Sequence, residues 1–338
     1  MNSKQWVKGE FRLGDWSLQS GQVLQDARLV YLQRGEPNAP KDNIVLLPTY
    51  YGGAMAGNLP LTVGDSPLAD NRWCLIIPAM LGAGESTSPS NAVAAQQGAR
   101  FPAIHLADQV RAQQDFLHAS FGNYRLALVA GWSLGGMQSL QWGCLFPERV
   151  QRIAAWCATA RCYPNNLLFL LGLKAALQAD PHSRNGAKPI EGLRAFARVY
   201  ASRAYSPLFF RDQEFLKLGF QSIDDLLQYW EEDHLAMNHH DLLAVLEMWA
   251  AADVSANAVY EGEYARALGA ITAPTLLMPS VTDQYFLTEE AELDAHLIGD
   301  ATVEVLRSQW GHCAGGPGRE SSSMAQVMAG LTHLLDSL

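Results

Sequence analysis

The residues with the clearest chemical potential are a serine and the glycines around it. Ser133 lies in the run Gly131-Trp132-Ser133-Leu134-Gly135-Gly136, which fits the pattern Gly-x-Ser-x-Gly. An apolar run, 126–130, precedes the motif and a helical pattern follows it. A sharp strand-to-helix turn would expose the serine hydroxyl, and flanking glycines relieve the crowding of such a turn. The motif therefore predicts that Ser133 is a nucleophile; the alternative is an ordinary strand–helix turn.

A serine hydroxyl is a weak nucleophile at neutral pH and needs a base, usually a histidine oriented by a carboxylate. Among the nine histidines, His312 lies in a glycine-rich segment, 308–316, just after the last predicted strand, 302–306. Asp283 is the first carboxylate in the loop that follows the predicted strand 275–279. We expect His312 to accept the serine proton and Asp283 to orient its imidazole. The alternative for His312 is a loop histidine with one local hydrogen bond.

Backbone N–H groups are the expected stabilisers of a negatively charged oxygen in this chemistry. The first helical turn after Ser133 would supply the N–H of Leu134. The second donor should come from the loop 48–53, as the N–H of Tyr50 or of Tyr51. Three aromatic residues flank the proposed site and either line a substrate pocket or pack its loops: Trp132, Tyr285 and Trp310.

Short apolar runs alternate with helical patterns along most of the chain. The runs 44–47 and 74–78 are apolar at consecutive positions, which is typical of parallel strands buried on both faces. This alternation predicts an α/β fold with a mostly parallel, doubly wound sheet. The strand pattern lapses over 162–268, where helical segments are punctuated by prolines. We expect a helical lid there, inserted between core parts 1–161 and 269–338; the alternative is a separate helical domain.

The composition narrows the classes of partner and location. The 338 residues carry a net charge of −10 and no basic run, which argues against nucleic acid and anionic membranes as partners. Apolar runs fall short of the roughly 18 residues that a membrane helix needs, and no secretory signal is visible. Five cysteines without a Cys-x-x-Cys pair are typical of a reducing compartment. We expect a cytoplasmic protein.

A cluster of polar residues in the predicted lid raises the question of a metal site. It comprises Asp233, His234, His239, His240 and Asp241. The spacing of His234 and His239 suits one helix face poorly, and the His-Glu-x-x-His motif is absent. The glycine pairs of the chain also lack the lysine and serine or threonine of a phosphate loop. We interpret the cluster as a polar bend between helices and expect neither metal nor cofactor.

The chain resembles the homoserine O-acetyltransferase family of α/β hydrolases, and more closely its esterase-like branch. The segments that carry the resemblance are 47–53, 77–91, 131–138, 278–286 and 310–312. The resemblance implies a Ser133–Asp283–His312 triad, an acyl-enzyme intermediate, a helical lid and a homodimer formed through that lid.

One departure from the resemblance concerns the acyl acceptor. The true acetyltransferases carry an acidic residue after the catalytic histidine, whereas Cys313 follows His312 here. The resemblance therefore implies hydrolysis of short-chain acetate esters, and the acidity of the chain favours a small neutral one. The alternative is transfer of acetyl from acetyl-CoA to homoserine or a related alcohol. The phosphates of acetyl-CoA would then need scattered arginines: Arg194, Arg198, Arg203 and Arg211.

Overall fold

The computed structural model describes residues 5–184 and 187–336. The fold is built around an eight-stranded sheet. Its spatial order is β1-β2-β4-β3-β5-β6-β7-β8. The strands are β1 Val7–Ser17, β2 Val23–Arg34, β3 Ile44–Leu46, β4 Cys74–Pro78, β5 Leu126–Trp132, β6 Ile153–Trp156, β7 Thr275–Met278 and β8 Ala301–Val303. The pairs β1–β2 and β2–β4 are antiparallel, and every later pair is parallel. The predicted fold class is confirmed.

The central strands explain why consecutive apolar residues were a useful signal. Strands β3 to β7 are buried at every position, because helices cover both faces of the sheet. The antiparallel strand β1 was not predicted, since its residues alternate between exposed and half-buried and include Lys8, Glu10 and Arg12. The last strand is also shorter than expected and ends at Val303 rather than at Leu306.

Ten α-helices occur in the described ranges. They are α1 Leu106–Phe121, α2 Leu134–Leu145, α3 Pro164–Gln178, α4 Ile190–Ala204, α5 Pro207–Arg211, α6 Ile223–Ala236, α7 His239–Ala250, α8 Tyr264–Gly269, α9 Thr288–Leu297 and α10 Ser321–Asp336. The sequence pattern predicts a helix over 212–218, where the structure has a 3₁₀ turn, Glu214–Leu218, and it does not predict the short helices α5 and α8. In the part of the chain that is described, no helix combines the length and apolarity needed to span a bilayer.

Helices α3 to α8 form one insertion in the sheet. The strands on either side of it, β6 and β7, pair directly, with Ile153 opposite Thr275 and Trp156 opposite Met278. The chain therefore leaves the sheet at β6 and returns to the neighbouring position, which is what an insertion requires. The predicted helical insertion is confirmed, and the alternative of a separate domain is not needed.

A buried carboxylate fastens both ends of this insertion to the core. Asp294 of α9 accepts hydrogen bonds from the backbone N–H of Ala160 at 2.6 Å and from the hydroxyl of Tyr163 at 2.8 Å. It also accepts from the hydroxyl of Tyr264, at 2.6 Å. The first two donors precede α3 and the third begins α8. Arg161 lies over both tyrosine rings and supplies a nearby positive charge.

We expect Asp294→Ala to lower the free energy of unfolding by about 3–5 kcal/mol, because it leaves several buried donors without an acceptor. Tyr264→Phe removes one of those hydrogen bonds and should cost only about 1 kcal/mol. Urea denaturation of both variants and of the wild type measures the difference. Equal effects of the two substitutions would contradict the anchoring role of the carboxylate.

Candidate active site

The proposed nucleophile sits in a strained turn between β5 and α2. Ser133 has a φ of 55° and a ψ of −129°, a region that non-glycine residues rarely adopt. A Cβ at Gly131 would lie 2.3 Å from the carbonyl carbon of Gly135. A Cβ at Gly135 would lie 2.5 Å from the carbonyl oxygen of Pro48. Backbone fills the space around the turn, and both glycines of the motif are therefore required.

Three side chains from separate loops meet at this turn. The Ser133 Oγ lies 2.9 Å from Nε2 of His312, and the Nδ1 of the same imidazole lies 2.8 Å from Oδ2 of Asp283. A carboxylate can only accept, so Nδ1 carries the proton and Nε2 is free to accept from the serine hydroxyl. The three residues predicted from the sequence therefore lie in the order serine, histidine, aspartate that a catalytic triad needs.

The acid loop is held by its own backbone and by the insertion. The second carboxylate oxygen of Asp283 accepts from the backbone N–H groups of Tyr285 at 2.9 Å and Phe286 at 3.2 Å. The side-chain amide of Gln284 donates to the carbonyl of Tyr205, at 2.7 Å. Burial of the Asp283 side chain is complete, at 0% exposure. The carboxylate therefore has one orientation, which leaves Oδ2 for the imidazole.

The histidine loop approaches the insertion closely. Gly311 has a φ of +62°, and a Cβ there would lie 2.7 Å from the backbone nitrogen of Ser206. The indole of Trp132 stacks on the His312 ring at 5.0 Å between centroids and donates its N–H to the His312 carbonyl at 3.2 Å. Tyr285 packs on the same ring at 4.2 Å. These contacts leave the imidazole little freedom apart from its hydrogen bonds.

The loop expected to complete the oxyanion site lies against the nucleophile turn. Pro48 contacts Gly135, and the side-chain amide of Gln138 donates to the Thr49 carbonyl at 2.9 Å. Among the described residues, no acceptor pairs with the backbone N–H of Tyr50 or Tyr51. Both groups therefore remain candidates for the second donor beside Leu134, and the choice between them stays a prediction.

A small cavity of about 240 Å³ opens beside the triad. Its core side is formed by Trp132, Tyr285, His312, Cys313 and the loop segment from Tyr50 to Ala54. Trp310 is not part of its wall in the described residues and packs against Phe209 at 5.5 Å and Tyr205 at 6.3 Å. Each alternative therefore holds for part of the set: Trp132 and Tyr285 line the cavity, whereas Trp310 packs against the inserted helices.

The other side of the cavity comes from lid helices α4 and α6. It includes Tyr200, Tyr229, Trp230, Asp233 and His234. Sequence reasoning missed these residues, because a polar position on a lid helix carries no motif. It placed Asp233 and His234 in a polar bend, whereas they belong to α6 and reach the cavity.

Burial sets the protonation of several groups around the cavity. It raises the pKa of the Tyr51 and Tyr285 hydroxyls well above the usual range. It lowers the pKa of His234, whose Nδ1 donates to the Trp230 carbonyl at 2.9 Å. It also raises the pKa of the Cys313 thiol, with Arg319 acting in the opposite direction. Cys313 is therefore a neutral thiol, not a substitute for an acidic residue.

The described residues contain a group of possible metal ligands at the site: Cys157, Asp283 and His312. The facing atoms of Asp283 and His312 already share a hydrogen bond, at 2.8 Å. The thiol of Cys157 donates to the Ala314 carbonyl at 3.2 Å, and burial raises its pKa. A protonated thiol is a poor ligand, so this group is better explained as part of the packing around the triad.

The sheet, the strained serine turn and the hydrogen-bonded triad together define the architecture of an α/β hydrolase. A family model described as "alpha/beta hydrolase fold" matches residues 42–315, and the chain belongs to this family. Within it, the chain is related to homoserine O-acetyltransferases and to acetyl ester hydrolases, which confirms the resemblance seen in the sequence.

Three relatives describe that relation. An ethyl acetate hydrolase of Pseudomonas veronii is 31% identical, over 96% of this chain and 94% of its own length. A homoserine O-acetyltransferase of Leifsonia xyli subsp. xyli is 30% identical, over 89% of this chain and 83% of its own. The crystal structure of an acetylester hydrolase from Corynebacterium glutamicum superposes with a TM-score of 0.93 and 28% identity, covering 98% of this chain and 96% of that one.

The backbone crowding at the Ser133 turn can be tested by adding a methyl group at Gly135. We expect Gly135→Ala to lower the free energy of unfolding by about 1–3 kcal/mol, because the new methyl group would meet backbone that cannot give way. Gly299→Ala is the matched control, since that glycine outside the insertion has open space around its Cβ position and no positive φ. It should raise stability by about 0.4–1 kcal/mol, because alanine restricts the unfolded chain. Chemical denaturation of both variants checks the opposite signs, and a neutral Gly135→Ala would contradict the crowding.

Proposed function

We propose that this protein is a serine carboxylesterase that hydrolyses short-chain, acetate-type esters. The observation that carries the proposal is the continuous hydrogen-bonded path from Ser133 through His312 to Asp283, in which His312 lines a small aromatic cavity. Pockets for larger ligands measure roughly 300–1,000 Å³, so the cavity of about 240 Å³ suits a small ester. The names of the Pseudomonas veronii and Corynebacterium glutamicum relatives support the same substrate class.

The geometry assigns a role to each member of the triad. The Ser133 oxygen attacks the ester carbonyl while Nε2 of His312 accepts its proton. Asp283 accepts from Nδ1 and stabilises the imidazolium that forms. His312 then donates the proton to the departing alcohol oxygen, which leaves an acetyl group on Ser133. Water, deprotonated by the same imidazole, attacks this acyl-enzyme, and acetate leaves as His312 returns the proton to the Ser133 oxygen.

The tetrahedral intermediates need donors for the negatively charged oxygen. We assign these to the backbone N–H of Leu134, at the start of α2, and to that of Tyr50 or Tyr51. Two observations support the assignment: Pro48 touches the turn at Gly135, and Gln138 holds Thr49 from the same helix. One donor of this kind is worth about 3–4 kcal/mol in the transition state.

The lid arginines favour hydrolysis over transfer from acetyl-CoA, because they are already paired within the chain. Arg194 and Arg198 both pair with Glu231, and Arg211 pairs with Asp212. Arg203 donates to the Gln284 carbonyl at 3.1 Å. These cations are engaged within the chain rather than gathered for phosphates. The neutral Cys313 likewise supplies no negative charge for the amine of an amino-acid acceptor.

Ser133→Ala should reduce hydrolysis of p-nitrophenyl acetate at least roughly 10⁴-fold, because the covalent step is lost. Ser202→Ala is the control, since the hydroxyl of this exposed lid serine donates to the Val199 carbonyl of its own helix, at 2.7 Å, and the substitution should leave turnover unchanged. Initial rates measured with circular dichroism of each variant separate loss of chemistry from loss of fold. Undiminished turnover by folded Ser133→Ala would overturn the proposal.

We also propose that the protein is a homodimer joined through its lid. Leu168 and Leu171 are 72% and 52% exposed on one face of α3, and another copy of the chain would cover them. Exposed apolar neighbours of this kind are typical of an interface core.

A cytoplasmic location and the limits 162–268 for the lid are further proposals. Five free cysteines support the cytoplasmic location.

Leu168→Lys should convert the dimer to a monomer, because it places a charge in the centre of the proposed interface. Leu293→Lys is the control, since this residue is 59% exposed on α9 outside the lid. Sedimentation equilibrium of the wild type and both variants gives the molecular mass in solution. A monomeric wild type, or a Leu168→Lys variant that remains dimeric, would contradict the lid interface.

A further inference from the structure

The cavity contains one positive charge that the proposed reaction does not use. Arg319 lines it, three residues after the glycine-rich segment 308–316 that contains His312. The residue is exposed rather than buried. Arginine keeps its charge at all ordinary pH values.

The loop after the histidine is built to direct this side chain inward. The backbone N–H of Arg319 donates to the Gly316 carbonyl at 2.9 Å, which closes a tight turn. A Cβ at Gly316 would lie 2.6 Å from Cδ of Arg319, so a side chain at that position would displace the arginine stem. Gly318 has a φ of +72° and completes the turn. The guanidinium carbon then lies 5.6 Å from the centroid of the Trp132 ring.

The guanidinium has few partners of its own. Its side-chain contact with an acceptor is the Cys313 sulfur at 4.0 Å, and that thiol is neutral. Among residues 5–184 and 187–336, no carboxylate comes within ion-pair distance of Arg319. A planar cation with several free N–H donors, at the wall of a substrate cavity, is suited to bind a carboxylate in a bidentate manner.

The position of Arg319 indicates which part of the substrate it meets. His312 must reach the departing alcohol oxygen to protonate it, so the alcohol part of the ester lies toward the histidine loop. Arg319 belongs to that loop and contacts Cys313, the neighbour of His312. The guanidinium therefore faces the alcohol rather than the acetyl group.

We propose that Arg319 binds a carboxylate on the alcohol part of the substrate, so that the preferred esters are acetates of short hydroxycarboxylic acids. This inference rests on the proposed function and names its substrate class. Water would cleave such an ester to acetate and the free hydroxy acid, with Arg319 taking no part in bond making. A carboxylate-binding Arg319 also revises the expectation of a neutral ester, because the net charge of the whole chain does not determine the charge inside one cavity.

Asp233 is the opposing charge in the same cavity. Its side chain is 48% exposed and its Oδ2 lies 3.5 Å from Nδ1 of His234. Because this carboxylate lies in the cavity wall as well, it weakens the binding of an anion without neutralising Arg319 directly. Removing its charge should therefore strengthen the preference that Arg319 creates.

The test compares two esters that differ only in charge, acetoxyacetate and acetoxyacetamide, with acetate release as the readout. We expect the wild type to prefer the carboxylate by about 10- to 100-fold in kcat/KM, the range for a charge-assisted hydrogen bond. Arg319→Gln should bring that ratio close to one, mainly through KM, since the contact is remote from the reacting carbonyl. Arg319→Lys should retain part of the preference, and Asp233→Asn should increase it.

Arg307→Gln is the matched control, because Arg307 is exposed and lies outside the cavity; its ratio should equal that of the wild type. A wild type that hydrolyses p-nitrophenyl acetate but shows no preference for acetoxyacetate would overturn the inference and leave the esterase intact. So would a preference that survives in Arg319→Gln.

Absence of all ester hydrolysis would instead refute the proposed function. Calorimetry with glycolate and glycolamide then tests Arg319 separately, because it needs no turnover. Tighter binding of glycolate by the wild type, lost in Arg319→Gln or reduced in Arg319→Lys, would still support the carboxylate site. Equal binding of the two compounds would overturn it.

Discussion

The turn at Ser133 is the constraint on which the site depends. A non-glycine residue with a positive φ costs of order 1–3 kcal/mol and persists only where its surroundings leave no alternative. Here the surroundings are backbone: the Gly135 carbonyl beside Gly131, and the Pro48 carbonyl beside Gly135. The same contact that enforces the strained turn brings the loop with Tyr50 and Tyr51 against the start of α2. Nucleophile and oxyanion donors are therefore positioned by one packing arrangement.

The lid is coupled to the triad through backbone contacts as well as by covering it. Gln284, next to the triad aspartate, donates to the Tyr205 carbonyl of the lid, and Arg203 donates to the Gln284 carbonyl. Gly311, next to the triad histidine, lies against the backbone of Ser206. Asp294 holds both ends of the lid from the other side. A displacement of the lid would consequently move the acid and base loops together with the cavity wall.

The parts of the structure that could be predicted from sequence are those in which a residue's place in the fold is reflected in the residues next to it along the chain. The buried strands appear as consecutive apolar residues, and the triad lies in glycine-rich or loop segments that follow those strands. β1 was missed because its charged positions dilute the pattern. Tyr200 and His234 were missed because their positions follow from how α4 and α6 pack, which no spacing along the chain encodes. Arg319 could have been noticed, since it follows the glycine-rich segment 308–316 by three residues.

Charge distribution, rather than the triad, decides what this site can discriminate. The triad offers the same attack on any ester that reaches Ser133, and aromatic walls bind small apolar groups with little selectivity. A neutral thiol at Cys313 removes the charge that an amine would need, whereas Arg319 introduces the opposite one. Both residues belong to the single loop that carries His312. Variation in that loop therefore changes the accepted alcohol without disturbing the hydrogen bonds from Ser133 to Asp283, because those bonds are held by the strands, the lid and the turn at Gly135.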